Sequence, residues 1–171
     1  MTTATELVQL QETLYRSKNP TRRWLHCSRR EWITNALRRS RPPAHERALE
    51  VGPGSGIYLP LLASLYQKVV GSDIEAAYLA HAESQRAALP NLALVLDNIC
   101  DTQLQPHSFD CILCTEVIEH IADSASALAG MRRLLKPGGI LVLSTPQRFS
   151  PLELTAKIAF LPGIIDLVRW I

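Results

Sequence analysis

The chain has 171 residues and a mass of 19.0 kDa, the size of one globular domain with a full core. Apolar residues make up 47% and charged residues 20%, which excludes a disordered or collagen-like chain. The net charge of +2 names no partner, but its distribution is uneven: residues 16–47 hold ten Arg or Lys against Glu31 and Glu46, whereas from Ala48 onward eight basic side chains face twelve acidic ones.

The first elements in the chain are helical. Leu7, Leu10 and Leu14 recur at helical spacing, and Trp24, Cys27, Trp32, Ile33, Ala36 and Leu37 predict a second helix that Arg41-Pro42-Pro43 stops. Their arginines read as a solvated face. Nucleic-acid binding is disfavoured, because Arg29-Arg30 and Arg38-Arg39 lack an aromatic stacking pattern and the remainder is acidic. An interfacial membrane role is a third reading, from Trp24 and Trp32 beside arginines. Met1 is followed by polar Thr-Thr-Ala-Thr, and no apolar run reaches the roughly 18 residues of a spanning helix. The expectation is a cytoplasmic protein, with membrane association as an open addition.

From residue 46 a unit of apolar strand, break and helix repeats. Strands are predicted at Ala48–Val51, Lys68–Asp73, Leu92–Asp97, Asp110–Thr115 and Ile140–Thr145, with helices near 57–66, 76–88 and 122–135. Strands apolar on both faces and alternating with helices define a doubly wound α/β fold, a Rossmann-like parallel sheet covered on both sides. Cys111 and Cys114 resemble a metal-binding pair, but an offset of three on a strand puts them on opposite faces, so they read as buried free thiols. Lys136-Pro137-Gly138-Gly139 reads as the turn from the last helix into the fifth strand.

The first strand runs into Gly52-Pro53-Gly54-Ser55-Gly56. Glycines permit a sharp turn and close backbone approach to a ligand. A nicotinamide-type fingerprint would need glycine at position 57, where Ile57 stands. Glu50 before the loop would repel a pyrophosphate and attract an ammonium group. Asp73, ending the second strand, suits the two hydroxyls of a ribose, or else caps the next helix. A tight turn with no ligand is the structural alternative for the loop itself.

Five motifs follow in order: Glu50-Val-Gly-Pro-Gly-Ser-Gly56, Gly71-Ser-Asp-Ile74, Ser108-Phe-Asp-Cys-Ile112, Glu116-Val-Ile-Glu-His120 and Leu135-Lys-Pro-Gly-Gly-Ile-Leu141. Over residues 46–147 this set resembles the class I S-adenosylmethionine-dependent methyltransferases, in the small-molecule branch that includes ubiquinone-biosynthesis O-methyltransferases. The resemblance implies that Glu50, Gly52, Gly54 and Gly56 hold the methionine end of S-adenosyl-L-methionine. Asp73 would bind the ribose and Ile74 would pack on the adenine. Asn98 stands where the family has an acid near the adenine amine, with Asp97 just before it, and Ile99 would offer its backbone N–H to the ring. Thr115 would turn its carbonyl toward the methionine ammonium.

Methyl transfer from a sulfonium asks the protein to position the nucleophile, exclude water and supply a base when the nucleophile is a hydroxyl. On a helical turn Glu116, Glu119 and His120 would share one face. His120 is the candidate base, since histidine exchanges protons near neutral pH. The same trio could instead hold a divalent ion, as in some quinone-type relatives, or be plainly solvated. No dedicated metal is expected.

The resemblance further implies two strands after the fifth, and no strand pattern follows Thr145, so the sheet is expected to lack them and the chain to be a fragment. Leu152–Ile171 holds thirteen apolar residues broken by Pro162-Gly163. It is expected to cover the acceptor entrance or to meet a membrane or partner. The division is then 1–45 N-terminal helices, 46–147 cofactor-binding core and 148–171 apolar segment. The function expected is methyl transfer to a small, lipid-like oxygen or carbon acceptor. The alternative is a non-catalytic S-adenosylmethionine-binding module or a fragment of a larger methyltransferase.

Overall fold

Five short strands, four of them strongly apolar, set the frame: β1 (Arg47–Val51), β2 (Lys68–Asp73), β3 (Leu92–Leu96), β4 (Phe109–Thr115) and β5 (Leu135–Ser144). In the computed structural model of the chain, the described residues are Thr13, 17–40, Pro42 and 44–146. The expected helix at Leu7–Leu14 and the apolar segment 148–171 lie outside them. All four strand pairings are parallel, in the order β3-β2-β1-β4-β5. β1 therefore sits at the centre, and the chain winds first to one side of it and then to the other. That reversal opens a crevice at the carboxyl ends of β1 and β4, where ligands of doubly wound sheets bind.

The helices are α1 (Pro20–Arg39), α2 (Leu59–Leu65), α3 (Ala76–Arg86) and α4 (Ser124–Leu134), with short 3-10 turns at Ile99–Asp101 and Ile118–His120. They close two cores, one on each face of the sheet. Ile33, Leu37, Leu59, Leu62 and Leu113 pack on one side, and Leu49, Ile112, Ala127, Met131 and Leu134 on the other. Cys111 belongs to the first core and Cys114 to the second, as the period-two alternation of β4 requires. Both are free, and burial pushes their thiols up to about 11 and about 12, so neither is poised as a nucleophile or metal ligand.

Three sequence expectations change. β5 begins at Leu135, directly after α4, so Lys136-Pro137-Gly138-Gly139 is no separate turn. Phe109 pairs with Leu135 and Cys111 with Ile140, which leaves those residues as a bulge inside the strand, with Gly138 at φ 77°. In α1 only Ile33 and Leu37 are buried, whereas Trp24 and Trp32 are 59% and 61% exposed. One turn against the sheet suffices to dock that helix, and the tryptophans stand on its outer side. Gly130 in α4, which sequence periodicity passed over, lies so close to the Ile99 carbonyl that a Cβ would collide with it. The glycine lets α4 seat on the turn that carries Ile99.

At the amino end of the sheet a buried acid is fully partnered. Asp110, 0% exposed, accepts from the Arg47 amide at 2.9 Å and from Lys136 Nζ at 3.1 Å on both oxygens, and Lys136 also pairs with Glu46 at 2.6 Å. This network ties the starts of β1, β4 and β5 together.

Candidate active site

At the opposite end of the strands lies a cleft of about 720 Å³. Its wall includes Gly52 and Gly54 from the glycine loop, Asp73 and Ile74 from the tip of β2, Asp97, Asn98 and Ile99 after β3, and Glu116, Val117 and His120 after β4. Eight of the ten expected site residues do not all line it equally. Glu50, Gly56 and Thr115 are absent from the wall, while the other seven, His120 included, are on it.

The loop is shaped by backbone that side chains rarely tolerate: Gly52, Gly54 and Gly56 have φ of 68°, 51° and 69°. A Cβ on Gly52 would run into Val117, so the absence of a side chain is what lets the β4 loop close on the β1 loop. The Gly52 amide donates to Ser72 O at 2.8 Å and the Gly56 amide to Pro53 O at 2.7 Å. The loop therefore offers space and curvature more than free amides, a correction to the expectation of an N–H cradle.

Glu50 is the electrostatic anomaly. It is 1% exposed between Gly71 of β2 and Leu113 of β4, and its Oε2 has no partner among the described residues. Burial without a compensating charge pushes its carboxyl up to about 8. Such a group waits for a cation.

At the nucleoside end, Asp73 Oδ1 accepts from the Glu75 amide at 3.0 Å, a local turn that fixes the carboxylate at the rim. Burial raises its pKa and the amides of Glu75 and Ile74 pull it down. Ile74 is 64% exposed although large and apolar, as a surface for a flat ring would be. Ile99 is buried. Asn98 spends its Oδ1 on the Cys100 amide at 3.1 Å, capping the 3-10 turn. Asp97, which sequence reasoning noted only as a neighbour, lines the cleft and has a buried Oδ2 without a partner.

The Glu116–His120 segment departs from the expected helical turn. Glu116 has φ 56°, outside any helix, and the 3-10 turn starts only at Ile118. Glu116 is drawn to Arg29 of α1 at 2.6 Å, its Oε1 accepts from Ser144 Oγ at 3.2 Å, and its amide donates to Ser144 O at 3.0 Å. Burial raises its carboxyl and Arg29 opposes that rise. The trio of Glu116, Glu119 and His120 is thus split, and no group of three His, Cys, Asp or Glu among the described residues could hold a metal ion. His120 remains on the cleft wall and solvent-exposed. Arg29 carried no sequence signal, because it stands 87 positions from its partner.

Residues 49–143 match the family model described as a methyltransferase domain. That is more than half of the chain, and the chain belongs to this methyltransferase-domain family. Over 143 residues it is 33% identical to a ubiquinone biosynthesis O-methyltransferase of Albidiferax ferrireducens, covering 82% of this chain and 55% of the relative. A probable S-adenosylmethionine-dependent methyltransferase of Mycolicibacterium smegmatis is 36% identical over 105 residues, 60% of this chain and 40% of the relative. The chain spans about half the length of the curated relatives it matches. Among solved structures, S-adenosylmethionine-bound CalS10, an amino pentose methyltransferase from Micromonospora echinaspora, is 29% identical with a TM-score of 0.59, covering 70% of this chain and 50% of that one. The N-methyltransferase NodS from Bradyrhizobium japonicum, in complex with S-adenosyl-L-homocysteine, shares the fold at 20% identity and a TM-score of 0.62, covering 80% and 71%.

The family's cofactor is S-adenosylmethionine, and the residues present fit it. A buried carboxylate oxygen without a partner meets the need of an ammonium group, the glycine loop leaves room where a Cβ would intrude, and an exposed isoleucine beside an acid suits a base and its ribose. No helix among the described residues is long and apolar enough to cross a membrane.

Proposed function

We propose that the protein transfers the methyl group of S-adenosylmethionine to an oxygen or carbon nucleophile on a small molecule. The unpartnered, buried Glu50 oxygen behind a glycine loop that opens into the cleft carries this reading. When bound, the cofactor supplies a methyl group already activated by its positive sulfur. Glu50 ionises opposite the ammonium group and fixes the methionine end, with Gly52 and Gly54 admitting it closely. Asp73 accepts from the ribose hydroxyls, and Ile74 covers the base. His120 takes the proton of a hydroxyl acceptor on a ring nitrogen, at the end of the cleft nearest Glu116. Val117 and Ile121, also on the wall, keep water from the reacting groups.

The relatives named for ubiquinone biosynthesis O-methylation support an oxygen nucleophile, and the apolar patches on the wall suit an acceptor with a hydrocarbon body. The core that does this is assigned to residues 46–147. Calorimetric titration with S-adenosylhomocysteine tests the cofactor half: Asp73→Ala is expected to weaken binding by about 1–3 kcal/mol. Turnover assays across quinol, phenol and carboxylic acid acceptors test the transfer. A folded protein that binds no S-adenosylhomocysteine overturns the proposal, and binding without turnover on any acceptor class leaves a cofactor-binding module in its place.

A further inference from the structure

Three polar side chains stand together where β2 and β3 end, and their acceptor atoms are not equally engaged. Asp73 Oδ1 accepts from the Glu75 amide, Asn98 Oδ1 from the Cys100 amide, and Asp97 Oδ1 from the Gln103 amide at 3.0 Å. Asp97 Oδ2 is buried and has no donor among the described residues. A carboxylate oxygen removed from water without a donor is costly, so native proteins fill such positions with a water or a ligand. Asp97 is also held in place by its backbone, since its amide donates to Asp73 O at 2.9 Å. Ile74 and Ile99 supply apolar surface on the same wall. A flat ring between apolar side chains, with an N–H at its edge, is the ligand chemistry that such an arrangement recognises.

We propose that Asp97, and not the adjacent Asn98, reads the amino group on the edge of the ligand's base, and so selects an aminopurine over an oxopurine. The inference rests on the cofactor reading above and departs from the residue that the family resemblance implies. Asn98 is poorly suited: with its oxygen committed to capping, its remaining polar atom is an amide NH2, a donor facing a donor. A carboxylate only accepts, so a ring with a carbonyl at that edge would be repelled.

The test is calorimetric titration of the full chain with S-adenosylhomocysteine and with its deaminated analogue, S-inosylhomocysteine. The wild type is expected to prefer the amino ligand by about tenfold or more, the range of one hydrogen bond to a charged group. Asp97→Asn keeps an oxygen for the Gln103 amide but turns the other atom into a donor, so the preference should collapse or reverse, with thermal melting confirming the fold. Asn98→Ala should lower the melting temperature through the lost cap and leave the preference in place. Equal wild-type affinity for the two ligands overturns the assignment. So does a folded Asp97→Asn that keeps the wild-type preference, or an Asn98→Ala that abolishes it. Wild-type protein that binds neither ligand overturns the cofactor reading, and this inference with it.

Discussion

Two buried acids on neighbouring strands of the same sheet have opposite surroundings. Asp110, at the amino end of β4, is met by the Arg47 amide and the Lys136 ammonium, with every contact at 2.9–3.1 Å. Glu50, in β1, is as deeply buried and keeps an oxygen with no donor at all. The sheet is finished at one end and left electrostatically incomplete at the other. Polar groups that hold a fold together find their partners within it, whereas groups that receive a ligand are left waiting and cost stability until it arrives.

The largest effect should come from breaking the finished end. Asp110→Ala strips the acceptor from a part-buried backbone amide and from Lys136 at once, and should cost roughly 3 kcal/mol in urea unfolding. S-adenosylhomocysteine affinity of the protein that remains folded should be unchanged. A loss of affinity as large as the loss of stability would show that the two ends are one cooperative unit.

Glu50→Gln should do the reverse. It removes a buried carboxyl whose ionisation the fold resists, so the free protein should unfold at a higher temperature near pH 8 while affinity for S-adenosylhomocysteine falls about tenfold or more. The pH dependence follows from the same group. The unfolded chain releases the Glu50 proton near its ordinary value of 4.5 and the folded chain near 8. Between these values the native state alone holds the proton. Glu50's contribution to stability is therefore complete below about 4.5, falls by about 1 kcal/mol per unit as pH rises toward about 8, and is gone above it. An ammonium ligand needs the ionised form, so affinity should rise over the upper part of that window. Both trends should vanish in Glu50→Gln, and their persistence would move the titrating group elsewhere.

The smallest effect belongs to the pair that joins the two regions' neighbouring helix to the cleft. The Arg29 and Glu116 side chains are 24% and 27% exposed, so Arg29→Ala should cost about 0.5–1 kcal/mol, reduced further by salt. S-adenosylhomocysteine binding should be nearly unaffected, since Arg29 is not on the cleft wall.

Much of this arrangement is legible in the residues. Apolar runs such as Asp110–Thr115 mark strands buried on both faces, and the offset of Cys111 from Cys114 puts one thiol in each core. The glycine loop, with Glu50 before it and Asp73 at the next strand end, marks the ligand end of the sheet. Other features were misread for a common reason. Lys136-Pro137-Gly138-Gly139 carries turn residues but is a bulge in β5, because pairing with β4 resumes on both sides of it. Glu116, Glu119 and His120 have helical spacing but no helix at Glu116, where contact with Ser144 and Arg29 holds a left-handed residue. Trp24 and Trp32 look like core and are exposed, since α1 docks through Ile33 and Leu37.

What the sequence by itself determined is therefore the local alternation of strand, glycine turn and helix, and with it the class of fold and the end of the sheet that faces a ligand. These depend on periodicity and on backbone freedom, which neighbouring residues set among themselves. Only the tertiary structure decided which acids are satisfied and which are not. Asp110 is met by residues 63 positions before and 26 after it, Glu116 by one from the first helix, while Glu50 Oε2 and Asp97 Oδ2 are met by none among the described residues. Whether a buried charge finds its counter-charge is settled by chain segments far apart in sequence, and no local pattern records that meeting.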